Sequence, residues 1–248
     1  MDIVYILRNG IEGDELRYSL RTLKNIPHDK VWFFGGEPSG LKPDRQVTLQ
    51  QQGVSVWSRV SWTLEQVCKN KEVSDDFILF NDDFFVMKPI DELPPYFDMT
   101  LYKRCQQIRK RRGGQHSIYE QNLMRLREML MSEHKKTYNY AVHVPMVINK
   151  KKALEVLGKY RRMPMFRSLY GNYWNIGGEQ LTDCKIVKKD IEPSEDAVFL
   201  STSEASFAHG KVGEYIRSQF TEECEYEVHN NVRRELQEVA ETEAVSGS

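Results

Sequence analysis

Nothing in this chain is apolar for long. No run approaches the ~20 residues that a membrane-spanning helix needs, so no span is expected. No secretory leader is expected either: Met1 opens a short strand-like run that breaks at once at Arg8-Asn9-Gly10. Cysteine is sparse. Cys68, Cys105, Cys184 and Cys224 are scattered and form no Cys-x-x-Cys pair, which argues against a disulfide framework. They read as free thiols in a reducing compartment, so the expected location is cytoplasmic. An excess of one charge is lacking as well. With 29% charged residues and a formal net charge of -1, no global field gathers nucleic acid, and any such contact needs a local patch. No internal repeat is visible. The 248 residues suffice for a full core, in one large domain or two small ones.

What is present centres on Phe77–Met87, FILFNDDFFVM. Phe77-Ile78-Leu79-Phe80 reads as a strand buried on both faces. It runs straight into Asn81-Asp82-Asp83, and a second apolar run follows. Adjacent carboxylates at the end of a buried strand are costly unless positive charge sits on them. A hard divalent cation with oxygen ligands answers that cost. The competing reading is a polar turn that uses Asn and Asp for geometry alone.

Upstream, Asp2–Leu7 predicts a first strand ending at Arg8-Asn9-Gly10. Ligands of open α/β sheets sit beyond the carboxyl ends of strands, so Arg8 and Asn9 are candidates for ligand contact. Leu16, Leu20 and Leu23 fall at helical spacing after Asp14, a candidate N-cap, and that helix stops before Pro27. Arg17 and Arg21 share its face and suit a diphosphate, with a solvated face as the plainer alternative. Further strands are expected at Lys30–Gly36 and Val54–Val56, and a helix at Trp62–Cys68. The order strand, helix, strand, strand, helix, strand indicates an α/β layer with a largely parallel sheet.

The acidic triplet closing such a strand resembles that of the GT-A glycosyltransferases. Asp14–Arg21 (DELRYSLR), followed by Phe80–Asp83 (FNDD), is similar to blocks of the Stealth proteins, which are sugar-phosphate transferases. The resemblance covers roughly the first hundred residues. It implies a Rossmann-like α/β/α sandwich, a nucleotide-sugar donor (UDP-sugar first among them) and Mn²⁺ or Mg²⁺. It also implies that Asp83 is a metal ligand, with Asp82 beside it, and that Asn81 bonds a ribose hydroxyl.

Beyond residue 100 the reading rests on local patterns. Lys103–Arg112 holds six basic residues in ten and gives way to Gly113-Gly114. A solvated surface, a phosphate-covering lid and a nucleic-acid contact all fit it. Ile118–Met131 predicts an amphipathic helix, and Lys150–Arg161 another. Tyr138–Asn149 reads as strand, with His143 a candidate base or acceptor contact. Tyr170, Tyr173 and Trp174, set among glycines and asparagines, suit sugar faces or a packed loop equally. If a helix begins after Gly178, Glu179 and Asp183 share a face, and either is a candidate base; Asp183 ranks ahead. A strand is expected at Asp196–Leu200 and a helix at Val212–Phe220. His209 matches by position the late metal-binding His of GT-A enzymes, and Lys211 is a candidate phosphate contact.

The expected organisation is one GT-A-like domain over 1–228, with a nucleotide-sugar-binding half at 1–100 and an acceptor half at 101–228. A polar tail follows at 229–248. The expected activity is metal-dependent glycosyl transfer to an acceptor hydroxyl on a glycan, a protein or a modified nucleic acid. Sugar-1-phosphate transfer of the Stealth type, with His143 as the catalytic group, is the first alternative. A non-catalytic carbohydrate- or nucleic-acid-binding module is the second.

Overall fold

Strand β1 (Asp2–Leu7) is buried along almost its whole length, as a central strand of Val, Ile and Leu must be. Helix α1 (Asp14–Arg21) returns the chain to β2 (Val31–Gly35), and β3 (Arg45–Thr48) follows at the solvent edge. Helix α2 (Val56–Lys69) then crosses to β4 (Asp76–Phe80) on the other side of β1. These four strands run parallel. After a sharp turn come β5 (Phe84–Val86) and β6 (Tyr96–Phe97), then helices α3 (Leu101–Arg111) and α4 (Ile118–Ser132). Strand β7 (Met146–Asn149) closes the sheet antiparallel to β4. Helices α5 (Lys150–Lys159) and α6 (Phe166–Tyr173), strands β8 (Glu179–Gln180), β9 (Lys185–Ile186) and β10 (Phe199–Thr202), and helices α7 (Glu204–His209) and α8 (Lys211–Gln219) complete the chain. This computed structural model describes residues 1–11, 14–161 and 163–228, so the tail expected from 229 onward lies outside the described residues.

The main sheet has the order β3-β2-β1-β4-β7. Because side chains alternate along a strand, Ile3, Tyr5 and Leu7 face one layer with Leu16, Leu20 and Leu23. Val4, Trp32 and Phe34 face the other, packing with Leu64 and Val67 of α2 and with α5 and α6. The expected α/β class with a mostly parallel central sheet is therefore what the chain forms. Gly35 shows why a residue without Cβ ends β2: its φ is +114°, and a Cβ there would lie 2.1 Å from the Leu7 carbonyl oxygen.

Several local expectations change. Val54–Val56 is not a strand, because Ser55 caps α2 with its hydroxyl on the Ser58 amide. Only Met146–Asn149 of the Tyr138–Asn149 segment is strand. The basic run belongs to helix α3, with Gly113-Gly114 just past its end. Its Arg104 and Arg109 turn toward Asp183 and Glu120. Tyr170, Tyr173 and Trp174 form no open sugar platform: α6 carries them into the core and against α5. Gly171 lets the Tyr140 ring approach to where a Cβ would sit at 2.6 Å.

Candidate active site at the crossover of the sheet

Going outward from β1, the chain first adds β2 and β3 on one side, then crosses to β4 on the other. Such a reversal leaves a crevice beyond the carboxyl ends of β1 and β4. Arg8 follows β1 there, and Asn81-Asp82-Asp83 follows β4. Two hollows open at this point, and both are lined by Arg8 and Asp82. One, of about 510 Å³, lies under the start of α1 and against α7, with Asp14, Glu15, Glu204 and Arg217 in its wall. The other, of about 520 Å³, runs along the start of α2 and α6, with Trp57, Arg59, Asn81 and Arg167.

Negative charge crowds the first hollow. Burial raises the Asp82 carboxyl above its ordinary value, and Asp83 adds to the effect. The Glu15 carboxyl is raised for the same reasons, burial first, although Thr202 donates to it at 2.6 Å. Asp83 is differently placed. Strand β10 pairs Ser201 opposite both Phe84 and Lys185. That register brings Lys185 Nζ to 2.6 Å and Ser201 Oγ to 3.1 Å from Asp83 Oδ2.

Arg167 closes the other side of the triplet. Its guanidinium donates to the carbonyls of Val144 and Leu79 and to Asn81 Oδ1, and stacks over the Phe84 ring at 5.1 Å. Burial pushes its pKa down to about 10, and only the nearby Asp83 opposes that. Sequence reading missed Arg167. It sits three residues before Tyr170, and nothing local marks it.

Beside Phe84 stands His143, its Nδ1 2.6 Å from Asp183 Oδ1. Arg104 holds the other carboxylate oxygen at 2.6 Å. Burial alone would raise Asp183, but the His143 hydrogen bond and the neighbouring Arg104 guanidinium outweigh it and keep the carboxyl low. An ionised carboxylate on Nδ1 keeps the hydrogen on that nitrogen and leaves Nε2 to accept a proton. His143 adopts φ +54°, a conformation uncommon outside glycine, which the surrounding contacts must hold. Two side chains weighed separately as bases therefore form one dyad.

No family model matches this chain, and no curated protein sequence matches it. Among solved structures, the chain is similar to a galactosyltransferase, LgtC, in complex with donor and acceptor sugar analogues. That match has 12% identity over 68% of each chain and a TM-score of 0.34. It is also similar to mouse xyloside xylosyltransferase 1 in its apo form, at 10% identity over 92% of this chain and 96% of that one, with a TM-score of 0.33. Neither likeness bears on which residues react.

The remaining candidates fall elsewhere. Arg17 and Arg21 are not free for a diphosphate, because both grip the buried carboxylate of Glu227. Glu179 is exposed on β8 beside Tyr96, and no helix joins it to Asp183. Asn9 is exposed and lines neither hollow. His209 ends α7 in solvent, and Lys211 pairs with Glu192 outside both hollows. Among the described residues, no three His, Cys, Asp or Glu side chains are grouped to hold a metal, so His209 does not join Asp83 in a shell. An open site of one or two carboxylates completed by substrate phosphates is a different arrangement. Asp82 and Glu15 fit it: they are oxygen donors with raised pKa values, short of positive charge. Asp83 is engaged instead by Lys185 and Ser201 through Oδ2.

Proposed function

We propose that this protein transfers a sugar unit from a nucleotide-sugar donor, UDP-sugar first, to an acceptor hydroxyl. The observation that carries the reading is the junction at Arg8 and Asp82, with the His143–Asp183 pair behind Phe84. The donor diphosphate would lie on the acidic side, against Arg8 and Arg217. Asp82 and Glu15, with the donor's phosphates completing the shell, would hold Mn²⁺ or Mg²⁺ there. When bound, such an ion neutralises charge on the leaving diphosphate. The acceptor would lie on the Arg167 side, which puts Asn81 nearer the acceptor than the ribose. His143 Nε2 takes the acceptor hydroxyl proton, while Asp183 fixes the ring and Arg104 fixes Asp183. Lys185 holds Asp83 in place. No helix of the described residues is long and apolar enough to cross a membrane.

A release screen over common sugar nucleotides, with Mn²⁺ and with EDTA, tests this reading, together with the mass of the product. Acceptor-dependent nucleotide release that needs the ion supports it. A second reading is favoured by the dyad and by the DELRYSLR and FNDD blocks: the same base could direct the acceptor at phosphorus. A phosphodiester product would select sugar-phosphate transfer. Ligand binding with no nucleotide released in any arm would leave only a binding module.

A further inference from the structure

A third hollow, of about 240 Å³, adjoins the basic one and shares Trp57 and Ser61 with it. The walls are continuous. Residues 55–61 form one side of both hollows, and residues 161 and 163–168 contribute to the other, with Met163 and Pro164 in the small hollow and Met165 to Ser168 in the large one. The groove therefore runs from Arg167, whose guanidinium bonds the Val144 carbonyl next to His143, out to Arg161.

Its far end is built of Arg125, from α4, and Arg161, just past α5. Asn122 and Ser61 stand beside them. Among the described residues, none of these four side chains has a hydrogen-bond or ion-pair partner, and no carboxylate lines the small hollow. Elsewhere this chain does pair its arginines where a carboxylate is in reach, as Arg17, Arg21, Arg104 and Arg109 show. Two guanidinium groups facing one concave space match the planar, two-pronged geometry of a phosphate or carboxylate. Trp57, at the junction of the two hollows, offers an aromatic face of the kind that packs on a sugar ring.

We propose that this small hollow is a subsite for an anionic sugar of the acceptor, its phosphate or carboxylate held by Arg125 and Arg161 and its ring against Trp57. The proposal rests on the acceptor lying on the Arg167 side, as argued above. Acceptors bearing such a group would be chosen over neutral ones, since a neutral sugar leaves both guanidinium groups without a counter-charge.

Calorimetric titration of the intact chain with a hexose 6-phosphate, with glucuronic acid and with the neutral hexose tests it, each with and without saturating UDP and Mn²⁺. The expected result is binding of an anionic sugar and not of the neutral one, undiminished by UDP. The arm that binds distinguishes phosphate from carboxylate. The doubly substituted R125A/R161A chain should bind the anionic sugar at least tenfold more weakly, with UDP affinity and Tm unchanged; both side chains are exposed, so the fold does not need them. The R125K/R161K chain should recover part of the loss. Binding that survives R125A/R161A, equal binding of the neutral hexose, displacement of the probe by UDP, or no binding of either anion overturns the proposal. Failure of UDP itself to bind would strike the donor assignment instead, because the arms without UDP still read the subsite.

Discussion

The two hollows that meet at Arg8 and Asp82 differ in sign. The one under α1 gathers Asp14, Glu15, Asp82 and Glu204 against two arginines. The one along α2 gathers Arg8, Arg59 and Arg167, with Asp82 its single carboxylate. Both flank the same strand ends, so backbone topology does not separate them. The separation comes from which helix supplies each wall. The acidic side raises its own carboxyls by burial and crowding, which makes it receptive to a cation. The basic side has no such excess and suits anions. The proposed transfer, with a polyanionic donor held through a metal and an acceptor held by direct contact, would use both.

That contrast can be broken in order of effect. Replacing His143 with Gln should lower kcat by about 10²–10⁴-fold with donor affinity intact, the range for losing a positioned base. A rate within threefold of the parent would remove the dyad from the reaction. On the acidic side, Asp82→Asn should weaken Mn²⁺-dependent donor turnover by roughly 10²-fold and leave acceptor-side binding alone. If instead acceptor binding fell and the metal dependence stayed, the two sides would have to be exchanged. Asp183→Asn keeps the shape but loses the charge that orients His143. A loss of about 10–100-fold in kcat, with KM for the donor unchanged, is the expected size for such a partner.

The fourth test concerns what holds the acidic wall in place. Glu227 is buried, and burial would raise its carboxyl, but hydrogen bonds from Arg21 and Arg17 win and hold it at about 2. Its folded value lies below its unfolded one. The stabilisation is therefore present above the unfolded value and is lost as pH falls toward 2. Glu227→Gln should cost about 3 kcal/mol at neutral pH, a fall in Tm of roughly 6–12 °C. The gap from the parent should close on acidification. A gap that stayed constant down to pH 2 would mean the loss is one of packing. At the small end, Lys211→Ala removes an exposed pair with Glu192 and should leave donor turnover unchanged. A measurable drop would return Lys211 to the phosphate site.

The frame was largely legible beforehand. The apolar run before Asn81 could only be a strand buried on both faces, and it is β4. Leu16, Leu20 and Leu23 mark a helical face because their spacing matches the turn of a helix, and all three are in the core. The site was legible in part. Arg8, Asp82 and Asp83 stand out because they follow strands, and the structure places Arg8 and Asp82 in both hollows. His143 and Asp183 were each weighed, but their pairing joins positions forty apart, and no periodicity records it. Arg17 and Arg21 looked open to a ligand because Glu227 lies 206 residues beyond Arg21. Arg167, Arg125 and Arg161 carried no local signal at all.

Burial periodicity and turn chemistry act between near neighbours, so the sequence by itself determined the central strands, the amphipathic helices, the α/β class and the acidic turn after β4. Which charges face one another is decided by the packing of distant segments. Only the tertiary structure therefore placed Lys185 on Asp83, Asp183 on His143 and Glu227 between two arginines. Electrostatic partnership depends on distance in space, and a folded chain brings its ends as close as its neighbours.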